Sequence, residues 1–466
     1  MSQGYDAAGR PTTINDWSGN STSYKYDADS NNCEIDYANG TVATLTFDAS
    51  DRTMGTIDAK SGIDFINLTY TRADNSALTG AGSNSYGYDA LNRVTSANTT
   101  TYTYDGADQM TQAQAGAATT TLGYDIANQL QSRVVSGVST NYSYDQNGNR
   151  TRAIDGGNNN TTWSYDQANR LISFQSGAAT AGYAYNGDGL LSLESSASSS
   201  TALAWNSQGR LPLIVIAGSS YINGPDGLPL EQVSAAGTVC YYHHDQIGNT
   251  LALTDASGAV VQSYGYDAYG NKTASSGTIV NPFQFQGQYL DPLSGLYYLR
   301  ARFYDPLVGA FVTRDPAVAT TRAPYAFASD TPLNGADPSG LCWPSWACGA
   351  ENAVGGAVGG AASWVGAHPT QTAAIAVGAV LIIGAIALTG GVGLAAAASY
   401  AAIDTTEVAG ALEGVDLAIH LGWVYLVGGA LGAVGVGGVI WGATSGYDTQ
   451  SGSAATRRER TGASCG

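Results

Sequence analysis

A Tyr-Asp pair, or a close substitute, returns about every twenty residues along the first half of this chain, and self-similarity at so short a period confines it to a repeat architecture. The series runs Tyr5-Asp6, Tyr26-Asp27, Phe47-Asp48, Tyr88-Asp89, Tyr104-Asp105, Tyr124-Asp125, Tyr144-Asp145 and Tyr165-Asp166. It weakens at Tyr185-Asn186 and Trp205-Asn206, then returns at Tyr266-Asp267. A second tyrosine precedes several pairs by two positions, at Tyr24, Tyr86, Tyr102, Tyr142, Tyr183 and Tyr264. That offset puts both rings on one face of a strand and the intervening residue on the other. After the pair come turn-forming residues and often an arginine, as at Arg10, Arg93, Arg150 and Arg170. Each unit therefore reads as strand, tight turn, strand, with the aspartate placed to accept amides of its own turn and the tyrosines stacked from hairpin to hairpin. The period is too short for a TPR or ankyrin unit, and Tyr, Thr, Ser and Asn disfavour helix. The repeated tyrosines and aspartates are read as scaffold. Rows of exposed rings also suit sugars, so glycans stand as a candidate partner.

Composition agrees with a β-rich chain. Tyrosine outnumbers phenylalanine 29 to 8, which suits strands whose rings keep a polar tip near water, and 60 glycines supply turns. With 19 Lys and Arg against 37 Asp and Glu, the net charge of −18 argues against a nucleic-acid partner, whose phosphates need basic side chains. The five cysteines, Cys33, Cys240, Cys342, Cys348 and Cys465, are too few and too scattered to suggest a disulfide framework and show no metal-ligand pattern, and no cofactor motif is present. No basic stretch leads into an apolar one near Met1, so no conventional signal peptide is expected. Export would then use another route, or Met1 begins a fragment of a longer gene. His243 and His244 lack an accompanying His or Cys cluster and are read as a strand-edge pair packing within the sheet.

More specific motifs lie further along the chain. The segment from Tyr241 to Asp255 reads YYHHDQIGNTLALTD, Phe285 to Pro306 reads FQGQYLDPLSGLYYLRARFYDP, and the chain then passes through Arg314-Asp315-Pro316 to Asp337-Pro338-Ser339-Gly340-Leu341. With the Tyr-Asp series, these segments resemble bacterial RHS proteins, the C components of insecticidal ABC toxin complexes, and teneurins, over about two thirds of the chain. The resemblance implies a YD-repeat region over 1–235, an RHS-associated core over 236–341 and a variable C-terminal tip over 342–466. It implies repeats folded as a spiralling β-sheet shell around a C-terminal effector, with self-cleavage after the terminal Leu, here between Leu341 and Cys342. Carried over by position, Asp315 and Asp337 would perform the cut and Arg302 would support them. The chemistry stands on its own terms, because two close carboxylates cannot both ionise cheaply. One keeps a proton to polarise the carbonyl while the other activates water. Asp-Pro-Ser-Gly is equally an ordinary turn sequence. Gly309-Ala310-Phe311 departs from the family's usual Gly-Arg-Phe, which puts the efficiency of cleavage in question. An array this short is expected to give an open or partial spiral with exposed edges.

Beyond Leu341 the repeat stops and Ala, Gly and Val take over. No charged residue occurs from Gln371 to Ile403 or from Leu421 to Gly446, and each run exceeds the roughly 20 residues a membrane helix needs. Transmembrane helices are expected near 371–403 and 419–446, with small-residue pairs such as Gly428 and Gly432 at close-packing spacing. Asp404, Glu407, Glu413 and Asp416 lie between the runs, and Arg457, Arg458 and Arg460 come after them. The expected protein is thus a polymorphic-toxin-type shell, secreted or membrane-associated, carrying a membrane-active tip, with an immunity protein or a secretion-system component as partner. The rival readings are a membrane-anchored adhesive repeat protein and an inactive recombination fragment.

Overall fold

The computed structural model describes residues 1–205 and 215–341. Twenty-eight of its strands, from Ser2–Tyr5 to Lys272–Gly277, form one sheet in which each strand is antiparallel to its neighbours in sequence. The meander passes residue 235 without a break, since Pro229–Val233 pairs with Val239–His244. The outer strands have one neighbour each among the described residues, and Lys272–Gly277 is exposed throughout.

The aspartate of each pair explains why the chain reverses where it does. At Asp89, Oδ1 accepts the amides of Leu91 and Arg93, both at 2.9 Å, and Oδ2 accepts Arg93 Nε at 2.7 Å. Asp6, Asp48 and Asp166 hold Arg10, Arg52 and Arg170 in the same way. At Asp27, Asp145, Asp245 and Asp267 the fourth following residue is asparagine, whose side-chain amide replaces the guanidinium. One carboxylate therefore satisfies two amides that the turn would otherwise leave unpaired. The third residue after the aspartate has positive φ, 64° at Asn92 and 85° at Gly148, which is why Gly, Asn, Asp and Ser occupy that position.

Tyrosine and arginine then tie each hairpin to the next. The Arg93 guanidinium lies 4.6 Å from the centroid of the Tyr104 ring, and Tyr104 Oη donates to Val94 O at 2.7 Å. Arg10 with Tyr26 and Arg170 with Tyr185 repeat the stack, and those hydroxyls bond Pro11 O and Leu171 O. Tyr88, Tyr124, Tyr165 and Tyr266 make the equivalent carbonyl bond, and Trp205 makes it through its indole nitrogen. Each such bond is worth about 0.5–1.5 kcal/mol net and each stack about 0.5–2 kcal/mol. Repetition makes them a continuous brace. The tyrosine two positions earlier points inward, and Tyr24, Tyr102, Tyr183 and Tyr264 are buried.

Residues 279–341 pack on the inner face of this sheet. Their regular pieces are short: Tyr289–Leu290, Tyr297–Tyr298, Phe303–Asp305 and Ala310–Phe311 form a four-stranded sheet. Tyr298, Phe303 and Val312 share a core with Trp163, Leu171 and Leu191 of the repeats. The early repeats also meet the late ones. Tyr37 Oη donates to Tyr242 O at 2.9 Å, and Asn39 Nδ2 donates to Asp255 O at 2.8 Å, so the meander coils back on itself. Among the described residues no helix is long and apolar enough to cross a membrane. The spans expected near 371–403 and 419–446 lie outside the described residues.

The turn mechanism predicts the effect of substituting Asp166. Asp166→Ala removes the acceptor for the Ala168 and Arg170 amides and should cost roughly 1–3 kcal/mol in denaturant unfolding. Asp166→Asn should cost much less, because Asn186 natively accepts the equivalent two amides of its own turn, those of Asp188 and Leu190. Equal losses in the two variants would contradict the mechanism.

Candidate active site

The three residues carried over from the resemblance come together in the inner layer. Arg302, Asp315 and Asp337 are all buried, at 4%, 3% and 2% exposure. Arg302 Nη2 lies 3.8 Å from Asp315 Oδ2 and 3.6 Å from Asp337 Oδ2, so one guanidinium nitrogen sits between two carboxylates. Burial pulls the Arg302 guanidinium below its usual range, and the two carboxylates oppose that shift. Its plane lies over Phe311, 3.6 Å from the ring centroid, which fixes its orientation. Phe311 is part of the Gly-Ala-Phe departure. Ala310 lies opposite Asp305 in the small sheet and also bridges to Ala326.

Each aspartate holds one of the two amides that a repeat aspartate holds, Asp315 the second following and Asp337 the fourth. Asp315 Oδ1 accepts the Ala317 amide at 2.7 Å, and Thr321 Oγ1 donates to Asp315 Oδ2 at 2.8 Å. Asp337 Oδ1 accepts the amide of Leu341, four residues on, at 3.2 Å, and Gly340 between them has φ +71°. The terminal Asp-Pro-Ser-Gly-Leu thus shares with the repeat turns the amide of the fourth following residue and the left-handed third residue, buried instead of exposed. Among the described residues, Arg302 Nε donates to Gly340 O and the Ala301 amide donates to Ser339 O at 3.1 Å, docking the turn. A Cβ on Gly340 would lie 2.5 Å from Leu299 O, so glycine permits the close approach as well as the turn.

Other expectations resolve differently. His243 and His244 do pack within the sheet. His243 is fully buried, with Nδ1 2.8 Å from Asp58 Oδ2 and Nε2 2.9 Å from Thr254 Oγ1. Burial first, and His243 second, pull the His244 imidazole down to about 3. Among the described residues no His, Cys, Asp and Glu cluster could hold a metal ion. Arg150, read as another turn arginine, is instead buried at 1% exposure and pairs with Asp305 at 2.6 Å, pinning the inner layer to the repeats. Its signal was present in the spacing. It stands five residues after its aspartate, where Arg10, Arg52, Arg93 and Arg170 stand four after theirs. Arg300 carried no sequence signal, yet it lines a cleft with Arg302, Tyr298, Tyr185 and Arg170.

The Teneurin YD-shell family model matches residues 83–223 and 226–331. The tRNA3(Ser)-specific nuclease WapA of Bacillus spizizenii is 34% identical over 129 residues, covering 26% of this chain and 6% of its own. The toxin protein Tse5 of Pseudomonas aeruginosa is 35% identical over 126 residues, covering 26% of this chain and 10% of its own. The chain thus spans a small part of these relatives. The crystal structure of TcdB2-TccC3-Cdc42 aligns with 73% of this chain and 21% of that one, at 16% identity and a TM-score of 0.49.

Close approach at Gly340 should be measurable. Gly340→Ala adds backbone strain and a collision with Leu299, whereas Gly295→Ala, at φ +72° with open space around its Cβ, adds strain alone. Urea unfolding should show a loss of about 1–2 kcal/mol for Gly295→Ala and a clearly larger one for Gly340→Ala. Equal losses would mean that the turn is not held against Leu299.

Proposed function

The chain belongs to the Teneurin YD-shell family, and from that premise we propose that it is the shell of a polymorphic-toxin-type protein that cuts itself after Leu341 to free a membrane-active C-terminal segment. One observation carries the reading: Arg302 lies between buried Asp315 and Asp337, while Asp337 and Arg302 grip the two residues before the bond. Within bacteria, Tse5 is named a toxin and WapA a tRNA nuclease, which supports an effector role for the segment beyond Leu341. Domain limits of 1–235, 236–341 and 342–466 belong to the same proposal, as do an immunity protein and a secretion component as partners.

The reaction is a single hydrolysis. The ionised carboxylate of the pair takes a proton from water as the oxygen bonds to the Leu341 carbonyl carbon, and the protonated carboxyl gives its proton to the carbonyl oxygen. On collapse the C–N bond breaks, the Cys342 nitrogen takes up the proton held by the base, and the carbonyl oxygen's proton returns to its donor. The products are a Leu341 carboxylic acid, which ionises, and a free Cys342 amine. Arg302 offsets the negative charge gathered around the pair and holds the Gly340 carbonyl, so that the bond arrives in one geometry.

Asp315→Asn and Asp337→Asn should each abolish a fragment that begins at Cys342 in intact-mass analysis of purified protein, and Arg302→Ala should slow its appearance at least tenfold. Equal processing in wild type and both Asn variants would assign the cut to an outside protease. For the freed segment, the four acids between the uncharged runs oppose membrane entry while ionised. Desolvation raises carboxyl pKa values above about 4, so leakage from liposomes treated with processed protein should be greater near about pH 5 than near about pH 7.5. Leakage that ignores pH would remove the trigger, and none at any pH would remove the membrane role.

A further inference from the structure

The loop that begins at Asp315 closes on itself. The Asp315 amide donates to Pro324 O at 2.8 Å, and the Phe311 amide just before the loop donates to Tyr325 O at 2.9 Å. Tyr325 Oη donates in turn to Gly148 O at 2.8 Å, so the base of the loop is anchored to the repeats. Between these ties the chain makes one helical turn, Val318–Thr321, in which the Thr321 amide bonds Ala317 O at 3.0 Å. That turn brings the Thr321 side chain back to the start of the loop. Thr321 Oγ1 lies 2.8 Å from Asp315 Oδ2 and 3.3 Å from Ala317 O, while the Ala317 amide holds the other carboxyl oxygen, Oδ1, at 2.7 Å. Each oxygen of Asp315 is thus held from within its own loop. The oxygen that Thr321 holds is the one 3.8 Å from Arg302 Nη2.

We propose that Thr321 is a positioning residue for the self-cleavage: its hydroxyl keeps Asp315 Oδ2 turned toward Arg302 whichever of the two aspartates carries the proton. The inference rests on the cleavage reading. Both members of a carboxyl pair that performs acid–base chemistry change protonation during the reaction, so a group that holds one of them throughout must suit both forms. A hydroxyl does, because it has one hydrogen to donate and lone pairs with which to accept. Against an ionised Asp315, Thr321 donates to Oδ2. Against a protonated one, it accepts from Oδ2 and donates onward to Ala317 O. A backbone amide such as Ala317 N offers only the first of these. Without the hydroxyl, the loop holds the carboxyl by Oδ1 alone, and rotation about Cβ–Cγ, which is soft for aspartate, carries Oδ2 away from Arg302. Misplacement of a reacting group by about 1 Å costs up to about a hundredfold in rate, so a single hydrogen bond to the carboxyl is enough to matter.

The test uses the full chain with Thr321→Val and Thr321→Ser, with the Cys342 fragment followed by mass analysis after a pulse of cell-free translation. Valine keeps the shape of threonine and loses the hydroxyl, whereas serine keeps the hydroxyl and loses the methyl group. Thr321→Val should cut roughly tenfold more slowly or worse, and Thr321→Ser should stay close to the wild-type rate. A packing role gives the reverse order. Valine as fast as wild type, or serine as slow as valine, overturns the assignment. Unfolding midpoints of the same variants in an Asp337→Asn background, which keeps every chain whole, separate positioning from folding. A valine rate that merely follows a lost fold at the assay temperature also overturns it. Carboxyl-carbon NMR of aspartate-labelled protein in that background, assigned with Asp315→Asn, reads the contact without cleavage. The Asp315 signal should move in Thr321→Val and stay in place in Thr321→Ser, and a signal unmoved by valine overturns the inference. Absence of any Cys342 fragment from wild type defeats the cleavage reading and this assignment with it, whereas a wild-type fragment with an undiminished valine rate defeats the assignment alone.

Discussion

A carboxylate that accepts the amides two and four residues ahead of it is the interaction on which this structure depends. It reverses the chain at a fixed distance after each tyrosine and leaves the fourth following side chain pointing at the next hairpin. Where that side chain is arginine, it is held by the aspartate that made the turn and covers the ring of the next repeat. The ring's hydroxyl then closes onto the carbonyl just past the arginine. Exposed ion pairs alone would contribute little. Linked with an aromatic stack and a backbone bond, and repeated along the meander, they set the spacing of hairpins and so the surface on which residues 279–341 rest.

A partial form of that device recurs at the candidate site. Asp305, Asp315 and Asp337 each accept a turn amide, as the repeat aspartates do, but they face the interior. What changes their chemistry is the partner. An exposed turn aspartate meets an arginine in water, whereas Asp305 meets buried Arg150 and the other two share buried Arg302. Interior ion pairs with incomplete hydrogen bonding are costly to fold and are expected where function or register demands them. Arg150 serves register, locking the inner layer to the repeats. Arg302, whose Nη1 is buried without a partner, lies where the chain approaches Leu341.

This division explains what could be read beforehand. The hairpins, the tyrosine pairs sharing a strand face and the aspartate turns were legible because each is local and repeated. The two-position offset from Tyr24 to Tyr26 dictates a shared face whatever the tertiary structure. The grouping of Arg302, Asp315 and Asp337 came from resemblance to a family motif and not from spacing, since Asp-Pro-Ser-Gly reads equally as a surface turn. Arg300 was beyond reach of the sequence, because its left-handed backbone and its place in the cleft depend on contacts with Ser339 and Tyr298 that no local pattern encodes.

An inward aspartate turn that hydrolyses its own chain is the central claim, and the most direct test tracks the purified protein in H2¹⁸O across a hundredfold dilution. The account predicts one ¹⁸O in the new carboxylate of Leu341 and a half-time that does not change with concentration. A half-time that lengthens on dilution, or cleavage at any other bond, would contradict it.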